Sequence, residues 1–220
     1  MNLQPLDWPL WLDVSLWSAD LANLESEIRR LEPFADSFHL DAADGHYVRT
    51  LLFFPDLVAR LREITRKPLH VHLFATRPMD LLPPFLDAGA DWVTLPLETG
   101  KRVWQAIELA QSRGARAGVS LELETPVEMI RGFRTRVQHI VLMGTAPGVK
   151  GRGLDERACD RMAEAAALAE GAPLRLLADG GIREDTVPLL RASGAGGIVA
   201  GSLITKAEDP AAVYTWLKSL

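Results

Sequence analysis

Cysteine is almost missing from this chain: a single Cys159 excludes an internal disulfide and any cysteine-based zinc site. Clustered positive charge is missing too. The 24 Lys and Arg are scattered and the net charge is only -5, so neither a nucleic-acid surface nor a polybasic membrane contact is expected. No basic stretch precedes the partly apolar N-terminus, which carries Asp7, Asp13 and two prolines. Neither a signal peptide nor a transmembrane span is expected from that pattern, and the default location is the cytoplasm. Linkers, low-complexity stretches and shifts of composition are also lacking. With 220 residues and 48% hydrophobic content, residues 1–220 are expected to form one domain around one sizeable core. The tryptophans Trp8, Trp11, Trp17, Trp92, Trp104 and Trp216 are spread along the chain and read as core and interface bulk, not a base-stacking platform. What remains is a small-molecule partner, with self-association into a homo-oligomer left open.

What is present is a strict alternation. Apolar, strand-like runs cover 11–17, 37–42, 69–74, 92–97, 115–121, 139–143, 174–178 and 197–200. Amphipathic helical stretches follow at 20–31, 55–65, 78–87, 101–112, 126–133, 155–169, 184–192 and 209–217. Helix starts are marked at Ser18 to Asp20, Thr125-Pro126 and Asp209-Pro210, and helix stops at Gly89, Gly114, Gly171 and Gly194. Mostly apolar strands alternating with helices imply a parallel sheet covered by helices, and eight units close a barrel. The expected fold is therefore α/β, a single-domain (β/α)8 TIM barrel, with a doubly wound open sheet as the alternative. Chemistry in such a barrel sits at the carboxyl ends of the strands, where Ser15, His39, Asp41, His72, Met143, Asp179 and Ser202 fall.

The organising stretch is 37–45, a short buried strand running into a turn at Asp44-Gly45. Alternate strand residues share a face, so His39 and Asp41 can hold one ion or one proton between them. His72 and Asp179 end two further apolar runs. Burying Asp41 and Asp179 without a cation would cost several kcal/mol each, so a compensating charge is expected. Two histidines and two carboxylates suit one divalent ion, Zn, Mn, Fe(II) or Co, with room for substrate oxygens. His70 shares the face of His72 but lies one layer deeper, which favours His72 as the ligand. Three glycine-bearing turns, at 147–153, 179–182 and 200–202, follow the last three strands and suit a phosphate group. His46 reads as a solvated turn residue, His139 as a strand start on the far side of the barrel, and Cys159 as helix packing; none receives a role.

These residues carry a resemblance. Ser18-Ala19-Asp20, the run from His39 to Val48, His72-Leu73, Leu142-Met143, Pro147-Gly148, Asp179-Gly180-Gly181-Ile182 and Gly201-Ser202 resemble the ribulose-phosphate 3-epimerase family, in order from first strand to last. The resemblance implies a metal-dependent 3-epimerase of a ketose phosphate. It implies metal ligands at His39, Asp41, His72 and Asp179, and proton transfer by Asp41 and Asp179. It further implies substrate or phosphate contacts at Ser15, His72, Met143, Gly148, Gly151, Gly180, Gly181, Gly201 and Ser202. The departures are specific: Ala43 and Phe74 stand where the family usually has methionine, Arg49-Thr50 for Pro-Asn, Pro96 for histidine and Glu122-Leu123 for Asn-Pro. The sixth-strand loop reads Ala146-Pro147-Gly148-Val149-Lys150-Gly151-Arg152 instead of Asn-Pro-Gly-Phe-Gly-Gly-Gln. A wall changed in this way either selects a different ketose phosphate or keeps the usual one, with Phe74 filling the space that Ala43 vacates.

Hydrogen next to a ketone is weakly acidic, so its removal needs a base in contact and positive charge near the oxygens of the developing enediolate. Two carboxylates on opposite faces of that planar species can invert its configuration. A barrel decarboxylase or isomerase is a rival reading, opposed by Ala43 at the position where a lysine would follow Asp41. A non-catalytic sugar-phosphate-binding paralogue is another, opposed by two carboxylates facing one another, from which a pure binder gains nothing.

Overall fold

The structure is a computed structural model that describes residues 9–220. Asp7 and Trp8, and with them the expectation of no leader sequence, lie outside the described residues. Eight parallel strands form the sheet: β1 (Trp11–Ser15), β2 (Ser37–Asp44), β3 (Leu69–Phe74), β4 (Trp92–Pro96), β5 (Arg116–Leu121), β6 (His139–Met143), β7 (Arg175–Asp179) and β8 (Gly197–Ala200). Each pairs with the next, and β8 pairs back onto β1, so the sheet closes into a TIM barrel. A two-residue antiparallel strand, Leu51–Leu52, folds back on the end of β2.

Helices α1 (Leu24–Leu31), α2 (Pro55–Ile64), α3 (Pro78–Asp87), α4 (Arg102–Ser112), α5 (Ala158–Leu168), α6 (Val187–Ala192), α7 (Ser202–Thr205) and α8 (Pro210–Ser219) cover the outside. Each turns an apolar stripe inward; in α1, Leu24, Ile28 and Leu31 are the buried residues, at helical spacing. Asp209 caps α8 by accepting from the Ala212 N–H at 3.0 Å, and Asp20 accepts from the Ala22 N–H within a turn ahead of α1. The four expected helix stops, Gly89, Gly114, Gly171 and Gly194, all have φ between 73° and 107°.

One expected helix is absent as such: 126–133 folds as a 3-10 segment, Val127–Gly132. Its Phe133 stacks on Trp104 at 4.2 Å between ring centroids, so packing on α4 holds this short connection in place of a full helical cover. The remaining differences are of length. The first strand stops at Ser15 because Leu16–Ser18 turns as 3-10, α1, α5 and α6 begin three or four residues late, and α7 is additional.

The alternation within strands sorts the side chains. Phe38, Leu40 and Ala42 of β2 join the large core between sheet and helices, whereas Ala43 belongs to a small cluster inside the barrel with Phe74, Trp92, Val141, Met143 and Leu177. Between the stacked Trp11 and Trp92 low in the barrel and Ala43, Phe74 and Met143 near its mouth, the interior is polar. Asp13, Ser15, Ser37, His39, Asp41, His70, His72, Thr94, Ser120 and His139 are all buried there. The register sets them in layers, with His39 beside His70 and Asp41 beside His72.

Candidate active site

At the carboxyl end of the barrel, one ligand atom from each of His39, Asp41, His72 and Asp179 falls in a group whose members all lie within 4.8 Å of one another. The His39 Nε2 is 3.3 Å from Asp41 and 3.9 Å from Asp179, and the His72 Nδ1 is 3.5 Å from Asp179. Both ring nitrogens are buried and form no hydrogen bond. The opposite nitrogens are held: the His39 Nδ1–H donates to Asp13 at 2.9 Å, and the His72 Nε2 pairs with the Ser120 hydroxyl at 2.9 Å. Two inward ring nitrogens facing two carboxylates is a donor set that a divalent cation satisfies at once, with outward partners that orient each ring. His39, Asp41, His72 and Asp179 therefore fit such an ion.

The electrostatics agree. Burial alone would lower the His39 pKa, but the carboxylates of Asp41 and Asp13 outweigh it and raise it well above the ordinary imidazole value. Burial would likewise raise Asp41, yet His39 and His72 hold it below the usual carboxylate range. The Asp41 carboxylate also accepts from the Ser15 hydroxyl at 3.3 Å. This cluster stabilises positive charge at its centre.

Above the cluster opens a cavity of about 280 Å³. Ser15, Asp41, Met143, Gly148, Gly151, Asp179, Gly180, Gly181, Gly201 and Ser202 all line it. His39 and His72 do not; they are fully buried, with His72 lying under the Phe74 ring at 4.1 Å between centroids. One wall is apolar, formed by Ala43, Val48, Leu52 and Phe74. The other carries the glycine turns. Gly180 and Gly181 both have positive φ, and a Cβ at Gly181 would meet the Leu154 backbone at 2.5 Å, so only glycine allows this turn to pack against the loop after β6. Lys150, Arg152, Arg183 and Lys206 stand on this side of the mouth. Arg49, another departure from the family pattern, is not among the lining residues.

His139 departs from its expected place. It does begin β6, but its ring lies inside the barrel, where its Nε2 is 2.7 Å from the Thr94 hydroxyl. Gly118 makes room for it, since a Cβ there would come within 2.2 Å of the ring. Burial, reinforced by the nearby His70, lowers the His139 pKa well below the ordinary value. His46 is exposed, as expected.

Asp13, Ser120 and Thr94 are site residues to which the sequence reading assigns no role. The signal for Asp13 was available: an aspartate two residues before Ser15 on an apolar strand poses the same burial problem as Asp41. Ser120 and Thr94 are single hydroxyls in apolar strands and carry no such signal.

A closed parallel barrel with buried histidines and carboxylates at the carboxyl ends of its strands places the chain among TIM-barrel enzymes. Solved structures of that fold match over 96% of the chain. They include a tryptophan synthase alpha-subunit (E244A) from Pyrococcus furiosus, covered over 95% of its length at TM-score 0.67 and 17% identity. A 3-hexulose-6-phosphate synthase, covered over 98%, matches at TM-score 0.67 and 17% identity. Residues 11–205 match the Ribulose-phosphate 3 epimerase family, and the chain belongs to it. Ribulose-phosphate 3-epimerase from Bacillus subtilis (strain 168) is 33% identical over 89% of this chain and 92% of its own. The cytoplasmic isoform from Oryza sativa subsp. japonica is 34% identical over 93% and 91%. The chain is thus a carbohydrate epimerase of the isomerase class.

Proposed function

We propose that the chain is a metal-dependent 3-epimerase of a ketose phosphate, working by proton transfer between carbon 3 and two carboxylates. The observation that carries this reading is the convergence of Asp41 and Asp179, from β2 and β7, on the same two histidine nitrogens. His39, Asp41, His72 and Asp179 would hold the divalent ion. When bound, the ion supplies the positive charge that makes the hydrogen next to a ketone removable.

The remaining steps belong to the protein. One carboxylate takes the proton from carbon 3, leaving the planar enediolate. The other, entering protonated, returns a proton to the opposite face, so configuration inverts and the roles of the two residues exchange. Ser15 steadies Asp41 through its hydroxyl. Backbone N–H groups of the Gly180-Gly181 and Gly201-Ser202 turns take the phosphate, with Gly148, Gly151 and Met143 completing the wall. The reaction needs no polar membrane or nucleic-acid surface. Among the described residues no helix is long and apolar enough to cross a membrane.

Incubating the metal-loaded protein with a panel of ketose phosphates in deuterium oxide tests this directly. Deuterium is expected at carbon 3 of the substrate and of its epimer. Binding of every sugar tested without exchange into any of them would leave a binder, and the epimerase reading would fail.

A further inference from the structure

Low in the barrel, one carboxylate serves two histidines. The same oxygen, Asp13 Oδ2, accepts from the His39 Nδ1–H at 2.9 Å and from the His70 Nδ1–H at 2.6 Å. The other oxygen accepts from the Ser37 hydroxyl at 2.7 Å. All four side chains are fully buried.

The hydrogen-bond directions propagate from this point. With its proton on Nδ1, His70 must accept at Nε2, and the Thr94 hydroxyl supplies the donor at 2.6 Å. Thr94 in turn accepts from the His139 Nε2–H at 2.7 Å. On the other branch, a neutral His39 with its proton on Nδ1 presents a lone pair at Nε2, the atom aimed between Asp41 and Asp179. A neutral ring of the other tautomer would point an N–H at the ion and a lone pair at a carboxylate, both repulsive. A ring left unheld could also turn about its side-chain bonds, at a cost in precision that a buried cluster does not tolerate.

We infer that Asp13 is a positioning residue: its carboxylate sets the tautomer and ring orientation of His39, and through them the affinity of the site for a divalent ion. It touches neither substrate nor ion, and does not line the cavity. His70, which looked in the sequence like a rival ligand, serves as a buttress. It holds Asp13 in place from the side opposite His39 and ties it to β4 and β6.

The inference rests on the metal reading, and cobalt(II) titration of the metal-free protein separates the two. The readouts are the dissociation constant, by competition with a chromophoric chelator, and the visible absorption of bound cobalt. Asp13→Asn keeps the volume, keeps an oxygen for the histidines, and leaves an amide that Ser37 can accept from, so it removes charge with little else. Thr94→Val is the control, equally buried inside the barrel, and it breaks the His70–Thr94–His139 chain without touching His39.

Asp13→Asn is expected to weaken cobalt binding by about 10–100-fold, the usual cost of losing such an outer partner, and to shift the cobalt spectrum. Thr94→Val is expected to lower the melting temperature of the metal-free protein while its cobalt affinity stays within about threefold of wild type, well inside the 10–100-fold range. If Asp13→Asn binds cobalt as tightly as wild type with an unchanged spectrum, or if Thr94→Val weakens binding as much, Asp13 is only a structural polar group and the inference is wrong. If the wild-type protein itself binds no cobalt, the metal reading fails and takes this inference with it.

Discussion

The Lys150 ammonium donates to the Trp17 carbonyl and lies 4.6 Å from the centroid of the Trp17 indole, bridging the loops after β6 and β1 across the cavity mouth. Burial and the neighbouring charges act on it: desolvation lowers its pKa, Asp41 opposes this, and Lys206 adds to it. The side chain is thus fixed beside the glycine turns with N–H groups to spare. Elsewhere on this acidic chain some basic residues pair with carboxylates, as Arg29, Arg62, Arg113, Arg157 and Lys218 do. Among the described residues, Lys150, Arg152, Arg183 and Lys206 at the mouth have no such ion pair. Lys150→Met should therefore raise KM for a phosphorylated ketose about 10-fold or more, as for loss of one charge-assisted hydrogen bond, with little change in kcat. The free sugar should be turned over poorly by both proteins. Equal kcat/KM for phosphorylated and free sugar in the wild type would remove the phosphate requirement altogether.

Asp41→Asn and Asp179→Asn should each lower kcat by about 10²–10⁴-fold, the typical cost of deleting a general acid or base. Asp41→Asn should also lose most of any bound metal, because a neutral amide would replace one of the two carboxylates proposed to hold it. Metal content by atomic emission and rate on the same samples would separate the two effects. Retention of more than about a tenth of the rate in both variants is incompatible with two-base transfer, given that typical cost.

A divalent ion held by His39, Asp41, His72 and Asp179, from three strands, would tie the barrel together only when folded. Stripping it with a chelator should lower the melting temperature, and re-adding it at about 100 times its dissociation constant should restore about 2.7 kcal/mol. A melting temperature insensitive to chelator and to added metal would count against the site.

Gly181→Ala should be costly although it leaves His39, Asp41, His72 and Asp179 unchanged. Its φ of 69° suits glycine, and the added methyl would meet the Leu154 backbone at 2.5 Å. The expected outcome is a loss of about 1–3 kcal/mol in stability together with weaker phosphate binding, read by chemical denaturation and by KM.

Phe74 and Ala43 define the altered wall, with the Tyr47 ring tilted at 41° against Phe74, 5.9 Å between centroids. This aromatic pair should favour a ketose phosphate other than D-ribulose 5-phosphate. A kcat/KM for D-ribulose 5-phosphate of about 10⁵ M⁻¹s⁻¹ or more, ordinary for an enzyme on its own substrate, would show that the wall leaves the usual substrate in place.

Local chemistry made much of this protein legible in its residues alone. Strand and helix periods, glycines at helix ends and prolines at helix starts depend on neighbours within a few positions, and they led to the barrel. The pairing of His39 with Asp41 on one face follows from the two-residue repeat of a strand. So does the placing of His70 below His72. The 126–133 segment misled because its apolar spacing is helical, while the stacking of Phe133 on Trp104, a contact between elements, favours a tighter turn. Which side chains meet across strands was a matter for the closed sheet. Asp13 lies 26 residues from His39 and 57 from His70, and Thr94 lies 45 from His139. Those contacts exist because strand register and barrel closure bring particular layers to the same height, and register is set by the packing of the whole sheet against its helices. No local pattern encodes it.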